Sequence, residues 1–192
     1  EGKPIISDSE FDLLAHKHNY NKVGYTVTDA VPHTYQMYSL QKCFDISKAP
    51  LDINDCVCSP KLDGAAVSLL YADGCLELAL TRGDGKQGRD ITDKMSTLVP
   101  TEIMEKRLIQ ITGEAVAPSS IPNSRNFAAG SLGLKGEEGL EEFKTRPLVF
   151  VAYDATPELS EQYSGALRRL EFHGFTVVDS FDTSDYPTDG LV

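Results

Sequence analysis

The 192-residue sequence lacks any apolar run that approaches the ~20 residues a helix needs to cross a bilayer. It also lacks a signal-peptide pattern at its start. At 41% hydrophobic and 24% charged residues, it is too rich in apolar side chains for a disordered acidic tail. We therefore expect a soluble, cytosolic protein with no membrane partner.

Basic residues are scarce. Lys and Arg number 18 against 29 Asp and Glu, which gives a net charge of −11, and no basic run occurs. A protein that grips nucleic acid unaided normally presents a basic patch, since neutralising phosphates supplies much of the affinity. The composition therefore predicts that, if this chain acts on nucleic acid, another domain or subunit does most of the holding.

The four cysteines, Cys43, Cys56, Cys58 and Cys75, form no C-x-x-C pair. A zinc site needs four well-spaced ligands, so this spacing does not favour zinc. We expect reduced, partly buried thiols without disulfides, which agrees with a cytoplasmic location.

The pattern of the sequence predicts an α+β fold of mainly antiparallel sheets with flanking helices. Ser7 and Glu10 have the spacing of a capping box and predict a short helix, followed by a linker over residues 21–32. Apolar or alternating runs predict strands over residues 65–71, 75–81, 108–117, 147–154 and 175–178. Asp73-Gly74 between the first two runs predicts a hairpin. Helices are expected over residues 137–144 and from Thr156-Pro157 to His173.

Two segments carry residues that could do chemistry. Lys61-Leu62-Asp63-Gly64 precedes a predicted strand, and Lys61 could be a nucleophile if its amine is held deprotonated, or an ordinary solvated lysine. The glycine-rich loop of residues 81–88 matches neither a phosphate-binding P-loop nor a dinucleotide fingerprint. Arg82 in it could aim at a phosphate or a sugar, or the loop could be plain surface.

Three further side chains allow a functional and a structural interpretation. Glu114 and Asp189 could together hold Mg²⁺ or contact a ribose hydroxyl, whereas Glu114 could also be an exposed strand carboxylate. Tyr153, at the end of a predicted strand, could stack on a base or pack in the core. None of these single readings is specific on its own.

Taken together and in order, the motifs are specific. They are KLDG at Lys61, TRGDGKQGRDIT from Thr81, TGEAV around Glu114, NSRNFAAGSL from Asn123, FVAYD with Tyr153, and DGLV from Asp189. In this order they resemble the adenylation (nucleotidyltransferase) domain of NAD-dependent DNA ligases. K-x-D-G alone would also fit ATP-dependent ligases and capping enzymes, whereas RNFAAGSL and TRGDG are close to diagnostic for the NAD-dependent branch.

The resemblance implies a reaction and roles. Lys61 would attack NAD to form adenylyl-lysine and release nicotinamide mononucleotide, and AMP would then pass to the 5′-phosphate of nicked DNA for sealing in replication or repair. Asp63 would lie near the reacting lysine, with Arg82 and Glu114 on the ribose or phosphate side of the nucleotide. The remaining implied contacts are Tyr153 on adenine, Ser39 and Leu40 beside the nucleotide, and Asp189 with Glu114 on Mg²⁺.

Departures from the family pattern accompany these matches. Ser59 stands where the family usually has a glutamate that faces adenine, and Arg89 replaces an acidic residue. Residues 1–20 resemble a remnant of the small domain that binds nicotinamide mononucleotide. In it, Asp8 and Asp12 match carboxylates, and Phe11 replaces a usual tyrosine. Residues 33–192 would then be the adenylation domain, cut short at its C-terminal end.

This organisation leaves the partners and two other functions open. The resemblance suggests a divergent viral or split-subunit ligase that binds nicked double-stranded DNA weakly and works with a C-terminal ligase subunit or domains. Its expected location is the cytoplasm of a bacterium or of a virus-infected host. One alternative is an RNA ligase or capping-type nucleotidyltransferase that uses ATP or GTP. The other is a non-catalytic nucleotide-binding subunit of a split ligase.

Overall fold

The computed structural model describes residues 29–43, 45 and 56–192. The strands in this part of the chain are β1 (Val31–Pro32), β2 (Pro60–Leu62), β3 (Ala65–Ala72), β4 (Cys75–Thr81), β5 (Gln87–Gly88), β6 (Ile109–Val116), β7 (Val149–Thr156), β8 (Thr176–Val177) and β9 (Thr188–Leu191). The helices are α1 (Thr92–Met95), α2 (Ser124–Leu132), α3 (Gly136–Thr145) and α4 (Tyr163–Phe172).

A central sheet of five strands has the order β4-β3-β6-β7-β8. All its neighbouring strands are antiparallel except β7 and β8, which are parallel. Two small antiparallel pairs, β1 with β5 and β2 with β9, complete the strand pairing of the described residues. The predicted combination of mainly antiparallel sheets with helices is confirmed.

The β3–β4 hairpin turns where the sequence predicts it. Asp73 has φ 48° and Gly74 has φ 83°, so both adopt the left-handed conformation that tight hairpin turns require. Across the turn, Ala72 pairs with Cys75.

The core lies between the sheet and its helices, and it follows the alternation of the strands. In β6, Ile109 and Ile111 are buried in the core cluster, whereas Thr112 and Glu114 line a cleft. Helix α4 contacts β7 and β8 and buries Leu167, while α2 contacts β6 and β3. The apolar residues thus hold the central strands in place and leave one part of the sheet for polar side chains.

One expectation about a helix is corrected. The segment from Thr156-Pro157 does not begin a helix, because β7 continues to Thr156, which pairs with Gln110. Helix α4 begins only at Tyr163, after Gln162 in an extended conformation. The cross-strand ladder and the preference for extended backbone before proline outweigh the favourable position of Pro157 as a first helical residue. Conversely, α2 was not predicted.

The predicted burial of the cysteines is wrong. None of the four is in a disulfide, as expected, but all four are exposed. Cys75 is the first residue after the hairpin turn, where the chain lies at the surface.

Several expectations fall on residues 1–28, outside the described part of the chain. They are the capping box, its helix, and the side chains Asp8, Phe11 and Asp12. Of the predicted linker, Val31–Pro32 forms strand β1. Among the described residues, no helix is both long and apolar enough to cross a membrane.

Candidate active site

A cleft of about 1420 Å³ collects most of the predicted site residues. They come from β2, the end of β4, β6, β7 and the segment before residue 43. The predicted residues that line the cleft are Ser39, Leu40, Ser59, Lys61, Asp63, Arg82, Glu114 and Tyr153. Side chains separated by more than 100 positions in the chain are thereby gathered into one site.

The pairing of β2 with β9 positions Lys61. Lys61 lies opposite Gly190, with a bulge between Lys61 and Leu62. The backbone groups of Ser59 and Val192 exchange two hydrogen bonds of 2.9 Å, which continue the ladder on one side. The ladder thus carries the DGLV segment to the lysine.

Asp189 binds the Lys61 side chain directly. The Lys61 Nζ lies 2.7 Å from Oδ1 and 2.8 Å from Oδ2 of Asp189, and both side chains are about 40% exposed. Attack by an amine requires loss of a proton from the ammonium group. The ion pair therefore orients the lysine and places an acceptor beside that proton.

The fold partly removes the Glu114 carboxyl group from water. Burial raises its pKa from 4.5 to about 7, although a hydrogen bond from the Gly64 backbone and the charges of Arg82 and Lys61 oppose the rise. The interpretation of Glu114 as an exposed strand carboxylate is therefore wrong. Its half-buried carboxyl lies in the cleft, where it could accept hydrogen bonds from a ligand.

Gly64 allows the turn after Lys61 to approach β6 closely. A Cβ at this position would clash with the carbonyl oxygen of Ala115 and lie 3.0 Å from Cγ of Glu114. The glycine in KLDG is therefore required by the approach of two backbones.

The Arg82 side chain lies at the end of β4 and faces the cleft. The Arg82 N–H donates to the Ala66 carbonyl at 3.0 Å, which fixes the end of the strand. The loop that follows turns through Gly83 (φ 56°) and Gly85 (φ 88°), where other residues would be strained. The two glycines thus allow a tight turn directly after Arg82, which lines the cleft as a cationic residue.

Arg125 is a site residue to which the sequence analysis assigned no role. It lies in the first turn of α2, lines the cleft, and places Nη1 3.3 Å from Oδ1 of Asp63. Its signal was present in the NSRNFAAGSL string, but the helix that directs it towards Asp63 was not predicted. The cleft therefore combines the cationic groups of Lys61, Arg82 and Arg125.

Aromatic and hydroxyl groups form another wall of the cleft. Burial raises the pKa of the Tyr153 hydroxyl well above its ordinary value, so this ring stays neutral. The Tyr163 hydroxyl donates to the Tyr153 carbonyl at 2.9 Å and is also hydrogen-bonded to the buried Ser59. Ser39 and Leu40 are exposed at the edge of the cleft.

The acidic side chains of the site can be compared with the oxygen ligands that Mg²⁺ uses. Among residues 29–43, 45 and 56–192, no three His, Cys, Asp or Glu side chains are grouped to hold a metal ion. Mg²⁺ commonly binds through one or two carboxylates together with substrate phosphates and waters. Glu114 and Asp189 therefore do not form a metal site built from protein alone, and any Mg²⁺ there would need the phosphate oxygens of a ligand. In this structure both Asp189 oxygens are bound to Lys61.

Comparison with known proteins agrees with this geometry. The chain is 34% identical to the DNA ligase of Aliarcobacter butzleri (strain RM4018), with 67% of this chain and 27% of the relative covered. It is 33% identical to the DNA ligase of Sulfurovum sp. (strain NBC37-1), with 69% and 27% covered. It thus spans about a quarter of the length of these relatives. Residues 26–189 match the model of the NAD-dependent DNA ligase adenylation domain, and the chain belongs to that family.

Proposed function

We propose that the chain catalyses the adenylation step of an NAD-dependent DNA ligase, with Lys61 as the nucleophile. The observation that carries the proposal is the position of Lys61, which lies in the cleft and is paired with Asp189. Arg82 and Glu114 line the same cleft. Phosphoryl transfer depends mainly on positioning and on stabilising the charge of the phosphates. These side chains supply both.

The reaction balances with groups in the cleft. The Lys61 ammonium loses a proton, for which the Asp189 carboxylate lies within 2.7 Å. Its nitrogen forms a bond to the α-phosphorus of NAD, and the bond from that phosphorus to the bridging oxygen breaks. Nicotinamide mononucleotide leaves, and the product is a phosphoramidate between Lys61 and AMP.

The remaining side chains bind and orient the nucleotide in this proposal. Arg82 and Arg125 stabilise phosphate charge, and Asp63 holds Arg125 in place through their ion pair. Glu114 accepts a hydrogen bond from the ribose, and the Tyr153 ring stacks on adenine. Mg²⁺, held by Glu114 and Asp189 together with phosphate oxygens, would supply additional neutralisation of charge.

A labelled donor tests the proposal directly. Incubation of the full chain with adenine-labelled NAD and Mg²⁺ should attach label to the protein, and Lys61→Arg should abolish it, because arginine keeps the charge but is not nucleophilic. Lys144→Ala is the matched control, since Lys144 is also ion-paired at the surface but does not line the cleft. Label that persists in Lys61→Arg would overturn the assignment.

The choice of nucleotide donor separates the proposed function from the alternative of an RNA ligase or capping-type nucleotidyltransferase. Labelled ATP and GTP, each compared with labelled NAD at equal concentration, should leave the protein unlabelled. Transfer from a triphosphate in preference to NAD would favour the RNA ligase or capping type of reaction. Absence of transfer from all three donors would favour a non-catalytic nucleotide-binding role.

Nicked double-stranded DNA is the proposed acceptor of AMP. At a net charge of −11, the chain is expected to bind nicked duplex weakly, because few phosphates are neutralised and few counterions released. Fluorescence anisotropy with a labelled nicked duplex, over a range of salt concentrations, measures this. Tight binding with little dependence on salt would contradict the expectation.

A further inference from the structure

His33 lies beneath the Arg82 end of the cleft and contacts two elements at once. Its Nε2 lies 3.1 Å from the Arg82 carbonyl oxygen, and its Nδ1 lies 2.9 Å from the Ser68 Oγ. A carbonyl oxygen can only accept, so Nε2 carries the proton and donates. Nδ1 and the Ser68 hydroxyl form the second hydrogen bond of the ring. His33 therefore joins the backbone of Arg82 to the interior of β3.

The backbone around His33 is held independently of its side chain. Strand β1 pairs with β5, and the His33 and Met37 N–H groups donate to the Lys86 and Gly85 carbonyls at 2.9 and 2.8 Å. The side chain of Gln110 exchanges hydrogen bonds of 3.0 and 2.8 Å with the backbone of Tyr35. Removal of the imidazole should therefore leave the segment in place.

We infer that His33 is a positioning residue which acts through Arg82 in nucleotide binding and adenylation. The Arg82 carbonyl accepts from the Gly85 N–H and from His33 Nε2, at 2.9 and 3.1 Å. These bonds set the backbone orientation from which the guanidinium extends into the cleft. The imidazole itself does not line the cleft, so it has no contact of its own with a ligand there.

The structure provides a matched pair of variants. In His33→Gln, the amide nitrogen can take the position of Nε2 and donate to Arg82. In His33→Asn, the shorter amide can reach Ser68 but not the Arg82 carbonyl. A purely structural role predicts similar losses for both variants, whereas positioning of Arg82 predicts rescue by glutamine only.

The inference rests on the proposed function. Two measurements on the full chain, lysine adenylation and AMP binding, distinguish failure of the inference from failure of the proposed function. His33→Asn should lower the kcat/KM of lysine adenylation with NAD by about tenfold, the size of one net hydrogen bond, and weaken AMP binding in calorimetry similarly. His33→Gln should remain within about twofold of the wild type in both readouts. In an Arg82→Ala background, His33→Asn should add less than about a twofold loss, because its effect passes through the missing guanidinium.

Two results would overturn the inference: equal losses in His33→Gln and His33→Asn, or an undiminished loss from His33→Asn when Arg82 is already alanine. If the wild type forms no lysine adenylate from NAD, the proposed adenylation fails. The pattern of AMP affinities across the same variants still decides the role of His33.

Discussion

The carboxylate of Asp189 binds the ammonium group of Lys61 through both its oxygens, at 2.7 and 2.8 Å, although 128 positions separate the two residues. The antiparallel pairing of β2 with β9 creates this contact. An exposed ion pair contributes little to stability, because solvent screens it, but it can orient a reactive group. The pair is therefore better explained by chemistry than by folding.

Asp189→Asn should separate these two effects. We expect adenylation to slow by more than about tenfold, because the lysine loses its orienting partner and proton acceptor. The free energy of unfolding should change by less than about 1 kcal/mol. Adenylation kinetics and urea unfolding measure the two quantities. Glu141→Gln is the control: it breaks the surface pair with Lys144 and should leave adenylation kinetics unchanged. Wild-type kinetics in Asp189→Asn would contradict the prediction.

Arg125→Ala should reduce adenylation by about tenfold, since it removes a charge-assisted partner of Asp63 and a cation from the cleft. Arg125→Lys should recover part of the loss, because it restores the charge without the planar guanidinium. Single-turnover transfer from NAD measures both. Arg107→Ala is the control, because Arg107 pairs with Glu105 away from the cleft lining. A fully active Arg125→Ala would exclude it from the site.

The burial of Glu114 should appear in the pH dependence of stability. Since its pKa rises from 4.5 to about 7 on folding, the folded protein binds more protons than the unfolded chain within that window. The contribution of Glu114 to stability is fully present below pH 4.5 and is lost as the pH rises through about 7. The free energy of unfolding therefore falls over this pH range. Glu114→Gln should flatten this decline in urea titrations across the window.

Glu105 provides the control for that experiment. Its hydrogen bonds from Arg107 lower its pKa from 4.5 to about 2, so its contribution changes only at more acidic pH. Glu105→Gln should therefore retain the wild-type slope between 4.5 and about 7. The same slope in Glu114→Gln and in the wild type would show that Glu114 is not the cause.

Two glycines should respond to alanine in opposite directions. At Gly113, a Cβ would clash with the Phe150 ring and the Val151 carbonyl, so Gly113→Ala should destabilise the protein by about 1–3 kcal/mol. At Gly130, in α2, a Cβ would meet nothing within 4 Å, and alanine should stabilise the helix by roughly 0.5–1 kcal/mol. Urea unfolding measures both. A neutral Gly113→Ala would contradict the close packing of β6 against β7.

Local patterns predicted the elements whose signals lie within a few residues. Asp73-Gly74 supplied a hairpin turn by conformational preference alone, and the alternation of Ile109 and Ile111 identified β6. Helix α2 is one exception, since it was not predicted. Pro157 is another, because the pairing of Thr156 with Gln110 outweighs its favourable helix-start signal. A distant partner strand is invisible to a local pattern, so the boundary was misplaced.

The sequence by itself determined the family and the candidate nucleophile, because ordered motifs such as KLDG and TRGDG record chemistry in residue types and spacing. Only the tertiary structure decided which side chains meet, namely Lys61 with Asp189 and Asp63 with Arg125. It also placed the His33 side chain against the backbone carbonyl of Arg82. It also decided the half-buried state of Glu114. The reason is physical, since these contacts depend on strand register and helix placement between distant parts of the chain, which local preferences do not specify.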